Sequence, residues 1–170
     1  MKGKLSKESS VTVSQVIQPH DVNPAGKVDG GVIMKYIDNA ASVVAVRHAG
    51  KEVVTTEIDQ LNFYNPVYLG NLLTLKARLN YAGKTSMEIG VRVEAENLIT
   101  GRITHIASAY LTFVALTPTG KPDEVPPLIL LSDDENRRSD EAVERRKRRL
   151  EAREKEIDRQ KHWTASQQKK

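Results

Sequence analysis

Asp38 is the lone carboxylate of the run from Gly30 to Gly50, whose other residues are mostly apolar. A carboxylate enclosed among apolar groups loses hydration, which favours its neutral form and moves it toward the range of a working general base. Two glycines, Gly30 and Gly31, open the same run. Free N–H groups at a helix start attract negative charge, and glycine lets a ligand approach them closely. Such groups suit the oxyanion that forms when a carbonyl is attacked. Asn23 lies in the loop before them, with an amide able to orient a water or donate to a carbonyl. Each residue also has a plainer reading. Asp38 fits a solvent-facing stripe with Lys35 and Asn39, Gly30-Gly31 fits a tight turn, and Asn23 fits an Asx-turn ahead of Pro24.

Other chemistries lack their residues. There is no Gly-x-Ser-x-Gly elbow for a serine hydrolase. The histidines His20, His48, His105 and His162 show no metal-ligand spacing. Gly83-Lys84-Thr85 resembles the end of a phosphate loop, but Arg78 stands where that loop needs glycine, and a strand pattern follows. His48 and Arg47 read as cations that complement the end of a helix.

The chain has 170 residues, 39 % hydrophobic and 28 % charged, enough for one domain and an appendage. It has no cysteine, so disulfides and thiolate chemistry are excluded. No apolar run is long enough to span a membrane, and no secretory h-region follows the first residues, so the expected location is cytoplasmic. The net charge is +4, of which +3 falls between Ser132 and Lys170. The basic balance therefore describes the tail and does not by itself imply nucleic acid.

The elements that must position these residues follow from periodicity. Residues 1–10 are polar and read as a flexible N-terminus. Val11 to Gln18 alternates as a strand, and His20 to Gly26 is a turn-rich loop. Gly30 to Ala49 reads as a helix with Gly50 as its stop, apolar nearly all round and so enclosed by other structure. Four strands follow, near 53–63, 73–81, 85–98 and 102–116, joined by short turns that imply antiparallel pairing. The expected architecture is α+β, one helix against one antiparallel sheet. Thr117 to Pro127 is a Pro/Gly-rich exit, with the domain spanning 11–128. Residues 129–170 form a charged extension, helical from Ser139 to about His162 with Ser139 as its cap.

The segments DVNPAGKVDGGVIMKYIDNAA, VVTTEIDQLNFYNPVYLGNLL, GKTSMEIGVRVEAENLITG and SAYLTFVAL, with the VPPL exit, resemble the hot-dog acyl-CoA thioesterase family, the brain-type and bacterial broad-specificity acyl-CoA hydrolases. The first segment is the most specific: its loop Asn, its Gly-Gly and its helix Asp come in the family's order and spacing. Asp29 stands where the family often carries an aromatic residue or histidine.

The resemblance implies a hot-dog fold, a long central helix wrapped by a curved antiparallel sheet. It implies a homo-oligomer, with subunits paired edge to edge into dimers and dimers assembled as trimers of dimers, a hexamer. The implied active site lies at the dimer interface, with Asp38 as general base or nucleophile, Asn23 from the opposite subunit, and the Gly31 N–H for the oxyanion. Coenzyme A is expected along Gly83, Lys84, Thr85 and Ser86, with Arg47 as a second phosphate contact and Phe63 and Pro66 lining the thioester entry. The expected reaction is metal-independent hydrolysis of acyl-CoA to a carboxylic acid and CoA. It uses no separate cofactor and involves no nucleic acid or membrane partner. The alternatives are a non-catalytic acyl-CoA-binding sensor of the same fold, an enoyl-CoA hydratase, which lacks its Asp/His loop pair here, and a nucleic-acid binder led by the run Arg145 to Arg149.

Overall fold

The computed structural model describes residues 1–167, apart from the side chains of Gln60 and of residues 161–167. The last three residues of the expected extension lie outside it. The chain runs β1 (Lys4–Leu5), α1 (Ser6–Ser9), β2 (Val11–Val16), a 3₁₀ turn (Pro19–Asp21), α2 (Gly30–Ala49), β3 (Glu52–Phe63), β4 (Leu72–Ala82), β5 (Ser86–Asn97), β6 (Arg102–Leu116), β7 (Leu128–Ile129) and α3 (Asp133–Gln167).

Strands β2 to β6 form one five-stranded antiparallel sheet in the order β2-β4-β5-β6-β3. Helix α2 touches all five strands. The alternation read from the sequence sets the two faces. Leu73, Leu75, Ala77 and Leu79 of β4, Met87, Ile89, Val91 and Val93 of β5, and Ala107, Ala109, Leu111 and Phe113 of β6 are buried under the helix. Against them α2 presents Ile33, Ile37, Ala40, Ala41, Val44 and Ala45. Fully burying the Leu, Ile, Val, Met and Phe side chains among them contributes about 1.5–3 kcal/mol each before entropy is counted, and the alanines contribute less. Gly50 closes α2 in the left-handed conformation at φ 66°, as its position predicted.

Helix α2 is enclosed on one side only. Met34, Val43 and Val46 remain more than a third exposed, and β3, an edge strand, exposes Val54 and Ile58. The expectation of a largely enclosed helix is therefore met on the sheet-facing side only within one chain.

Residues 1–10 are not loose. β1 pairs in parallel with β7, and Ser6 and Ser9 of α1 are buried. The Ser6 hydroxyl donates to the Leu79 carbonyl at 3.0 Å, and Lys4 Nζ donates to the carbonyls of Arg47 and His48. His48 is fully buried, and its Nε2 lies 2.8 Å from the Pro126 carbonyl. Burial holds its pKa below the ordinary value against the opposing pull of that carbonyl. His48 is thus a neutral tether between α2 and the exit segment, a correction to its reading as a dipole-complementing cation.

Helix α3 starts six residues earlier than expected. Its cap is Ser132, whose hydroxyl accepts the Glu135 N–H at 3.2 Å while Glu135 accepts the Leu131 N–H at 2.7 Å. This pair satisfies one of the N–H groups left over at the helix start and ties the residue ahead of the cap to the first turn. The first half of α3 lies on the outer face of the sheet, with Ala142 and Arg145 buried. No helix among the described residues is long and apolar enough to cross a membrane.

Candidate active site

Asp38 projects from the middle of α2 toward β3, where the Thr55 hydroxyl donates to its Oδ1 at 2.8 Å. Asp38 is half-buried, and among the described residues Thr55 is the one hydrogen-bonding partner of its carboxylate. Oδ2 is left for another proton. The sequence reading missed Thr55. It occupies an ordinary strand position, and only the packing of α2 across the edge strand brings it to Asp38.

Gly30 and Gly31 open α2 after Asp29, which makes no side-chain cap. The Val32 and Ile33 N–H groups return to the Asp29 carbonyl at 3.0 and 3.3 Å. Among the described residues the Gly31 N–H meets no acceptor. Asp29 turns its carboxylate to the Asn23 amide, whose Nδ2 donates to Asp29 Oδ1 at 2.9 Å. Negative charge next to the helix start is thus partly occupied by a donor. Asn23 Oδ1 accepts the Ala25 and Lys27 N–H groups at 3.0 and 3.3 Å, which is the Asx-turn reading, while Nδ2 keeps one hydrogen unused. The loop is fixed from below by Asp21, which accepts the Gln18 N–H at 2.9 Å and the Tyr36 hydroxyl at 2.7 Å. The Gln18 N–H, more than the Tyr36 hydroxyl, holds the Asp21 carboxyl below its ordinary range. The bond to Asp21 raises the Tyr36 phenol.

The remaining candidates fall at two ends of the molecule. Phe63 packs on the start of α2, with its ring 3.5 Å from where a Cβ on Gly30 would stand. With Ile33, Pro66 and Val67 it lines an open cavity of about 390 Å³. The other end holds the 83–86 turn. Across the sheet, Thr55 pairs with Phe113, Phe113 with Met87 and Met87 with Ala82, so this turn and Thr55 share one end. Phe63 is eight residues along β3 from Thr55, about 26 Å at strand rise. In the turn, the Gly83 N–H donates to the Ser86 carbonyl at 2.8 Å, and the Thr85 and Lys84 carbonyls accept the Ala115 and Val125 N–H groups. Lys84 is largely exposed, with Nζ 3.7 Å from Glu124 Oε1. Arg47 donates to the Ser10 carbonyl at 3.2 Å. One chain therefore brings Asp38, Thr55 and the 83–86 turn to one region. Gly31, Phe63 and Pro66 gather in another, and no hydrogen bond joins Asn23 to Asp38.

Among the described residues no group of three or more His, Asp or Glu side chains is placed to hold a metal ion.

The thioesterase superfamily model matches residues 25–112. The chain is 36% identical over 142 residues to the uncharacterized acyl-CoA thioester hydrolase YkhA of Bacillus subtilis, across 84% of this chain and 83% of that protein. The acyl-CoA hydrolase of Staphylococcus aureus, solved with butyryl coenzyme A, coenzyme A and coenzyme A disulfide, superposes with a TM-score of 0.86 at 34% identity, over 95% of this chain and 98% of that one. A hexameric acyl-CoA thioesterase superposes equally well, at 0.86 and 33% identity over 89% and 97% of the two chains. The staphylococcal enzyme has also been solved with an aspartate, an asparagine or a threonine replaced by alanine. Its asparagine lies fifteen residues before the aspartate and its threonine seventeen after, the intervals that separate Asn23, Asp38 and Thr55 here. Superfamily match, relatives and a helix on a five-stranded antiparallel sheet agree: the chain belongs to the thioesterase superfamily and has the hot-dog fold of its structural neighbours.

Proposed function

We propose that this protein hydrolyses acyl-CoA to a carboxylic acid and CoA, with Asp38 as the base. The observation that carries the proposal is the Asp38–Thr55 pair, one carboxylate oxygen held and the other open, in a chain whose relatives are named acyl-CoA thioester hydrolases. Asp38 Oδ2 takes a proton from water, and the hydroxide adds to the thioester carbonyl. The carbonyl oxygen becomes an oxyanion that the Gly31 N–H receives at the dipole-positive end of α2. The C–S bond breaks, and the CoA thiolate recovers the proton from Asp38. Asn23 orients the water through its unused amide hydrogen. The reaction as drawn uses no metal or separate cofactor. Attack by Oδ2 itself, giving a mixed anhydride, is the second form; a single turnover in ¹⁸O water labels Asp38 only in that case.

The site is completed between subunits. β3 is an edge strand with exposed Val54 and Ile58, beside the exposed Val43 and Val46 of α2. Antiparallel pairing of two β3 strands covers this apolar margin and ends the open edge. It also brings the Gly31, Asn23, Phe63 and Pro66 end of one subunit to the Asp38, Thr55 and 83–86 end of the other. Lys84, Thr85 and Ser86 then receive the CoA phosphates, with Arg47 as a further contact, and the cavity beside Phe63 takes the thioester arm. Three such dimers form the hexamer, and the cytoplasm is the proposed location. The sensor reading gives no role to an open carboxylate oxygen beside a threonine donor.

Thiol release from acyl-CoAs of increasing chain length tests the proposal. Turnover on at least one member is expected. CoA binding with no release from any member would overturn the reading in favour of a sensor.

A further inference from the structure

The outer face of the sheet carries a second, unassigned concentration of charge. Between that face and the first turns of α3 lies a cavity of about 270 Å³. Six cations line it: Lys76, Arg78 and Arg92 from the sheet, and Arg137, Arg138 and Arg145 from α3. Glu141 is the one carboxylate in its wall. The register explains the crowding. Lys76 and Arg92 stand directly opposite each other across β4 and β5, with Ser108 next on β6. Like charges so placed repel.

Four carboxylates pair with these six cations. Glu94 takes both Lys76 and Arg92, at 2.6 and 2.7 Å. Asp134 takes Arg137 at 2.6 Å and Arg138 at 2.8 Å, with Arg78 at 3.9 Å. Arg145 reaches Glu88 at 2.7 Å, and Glu141 serves Arg137. Glu88 is shared with Arg149, which also meets Asp59 and Glu57, so the connected network holds seven cations against six carboxylates. The site is also built in depth. Arg145, only 8% exposed in its side chain, stacks 3.7 Å over the Tyr110 ring. The row Arg78, Gly90, Tyr110 leaves a gap in the floor, since Gly90 has no side chain. Beneath it lies Asn80, 3% exposed, whose Nδ2 would stand 2.6 Å from a Cβ on Gly90 and whose Oδ1 has no partner.

We infer that this cleft, with six cations and one carboxylate in its wall, binds a phosphate monoester, whose oxygens suit the guanidinium forks of Arg92, Arg137 and Arg138. It lies across the sheet from α2 and Asp38. Its ligand is the nucleotide end of a CoA molecule or a separate phosphorylated compound.

Calorimetric titration with inorganic phosphate and with 3′,5′-ADP tests the inference, on the full chain, on Asp38→Asn and on an Arg92→Ala/Arg138→Ala double variant. Arg92 and Arg138 are both partly exposed, so thermal unfolding of the double variant is expected to be close to that of the wild type. Wild type and Asp38→Asn should bind both probes alike, and the double variant should bind them about tenfold more weakly or worse. Lys76→Gln, which removes one charge while keeping much of the side chain, should show a smaller loss. Tighter binding of 3′,5′-ADP than of inorganic phosphate at this cleft identifies the nucleotide end of a second CoA molecule as the ligand; equal affinity for the two identifies a separate phosphorylated compound. Absence of binding to the wild type, or equal binding to the double variant, overturns the site. Because Asp38→Asn must retain phosphate binding, failure here is separate from failure of the thioesterase reading.

Discussion

Thr55 on β3 donates its hydroxyl hydrogen to Asp38 on α2 at 2.8 Å, which fixes the carboxylate of the helix to the edge strand of the sheet. The bond holds Oδ1 and leaves Oδ2 without a hydrogen-bond partner among the described residues. Thr55→Ala should lower kcat by about tenfold, the scale of one hydrogen bond to a charged group, with little change in KM. Thr55→Ser, which keeps the donor, should restore most of it. Steady-state kinetics on the two variants separates a positioning hydroxyl from a packing methyl.

An interfacial site predicts complementation. Subunits carrying Asp38→Asn and subunits carrying Asn23→Ala should each be weak alone. Refolded together, they should regain activity, since a mixed dimer contains one site with both residues intact. Activity of the mixture no greater than the mean of the separate variants would place both residues in the same subunit's site.

The hold of α3 on the domain is ionic and buried. Glu88, 1% exposed, receives Arg145 at 2.7 Å and Arg149 at 3.0 Å. Arg149 also meets Asp59 at 3.1 Å. Glu88→Leu leaves the two arginines without their shared buried partner and should cost about 3–5 kcal/mol in chemical denaturation. Replacing Arg145 and Glu88 together by apolar residues should recover part of that loss.

His48 predicts an acid sensitivity with a definite sign. Burial keeps it neutral in the folded state, with its pKa below the ordinary 6.5. Below that value the unfolded chain gains a proton that the folded chain refuses, so the contribution of this site is full above 6.5 and declines as pH falls. His48→Gln, which can still donate to Pro126, should flatten the fall in melting temperature between pH 7.5 and about 5.5.

Much of the fold was legible because its signals are local. The alternation of Leu73 to Leu79 set the strand and its inner face, a register shift then breaks it before Tyr81, and Gly50 set the end of α2. The first ten residues misled because buried serines resemble solvated ones; Ser6 is satisfied by the Leu79 carbonyl, a partner far along the chain. The start of α3 was misplaced because Ser139 suited a cap, whereas the cap is Ser132, bonded to the Glu135 N–H. A run of arginines looked like a solvated helix face, and nothing near it in sequence announced Glu88. The grouping of Asp38, Asn23 and Gly31 into one proposed site comes from the family resemblance, since one chain does not bring them together. Thr55 needed the structure, since a threonine in a strand is ordinary until a carboxylate lies against it.

Thiol release from the best acyl-CoA, measured for wild type and Asp38→Asn side by side, tests the central claim most directly. The loss expected for a general base is on the order of 10²–10⁴ in kcat, with unchanged oligomeric state and folding. Turnover by Asp38→Asn within a few-fold of wild type would contradict the assignment of Asp38 as the reacting carboxylate.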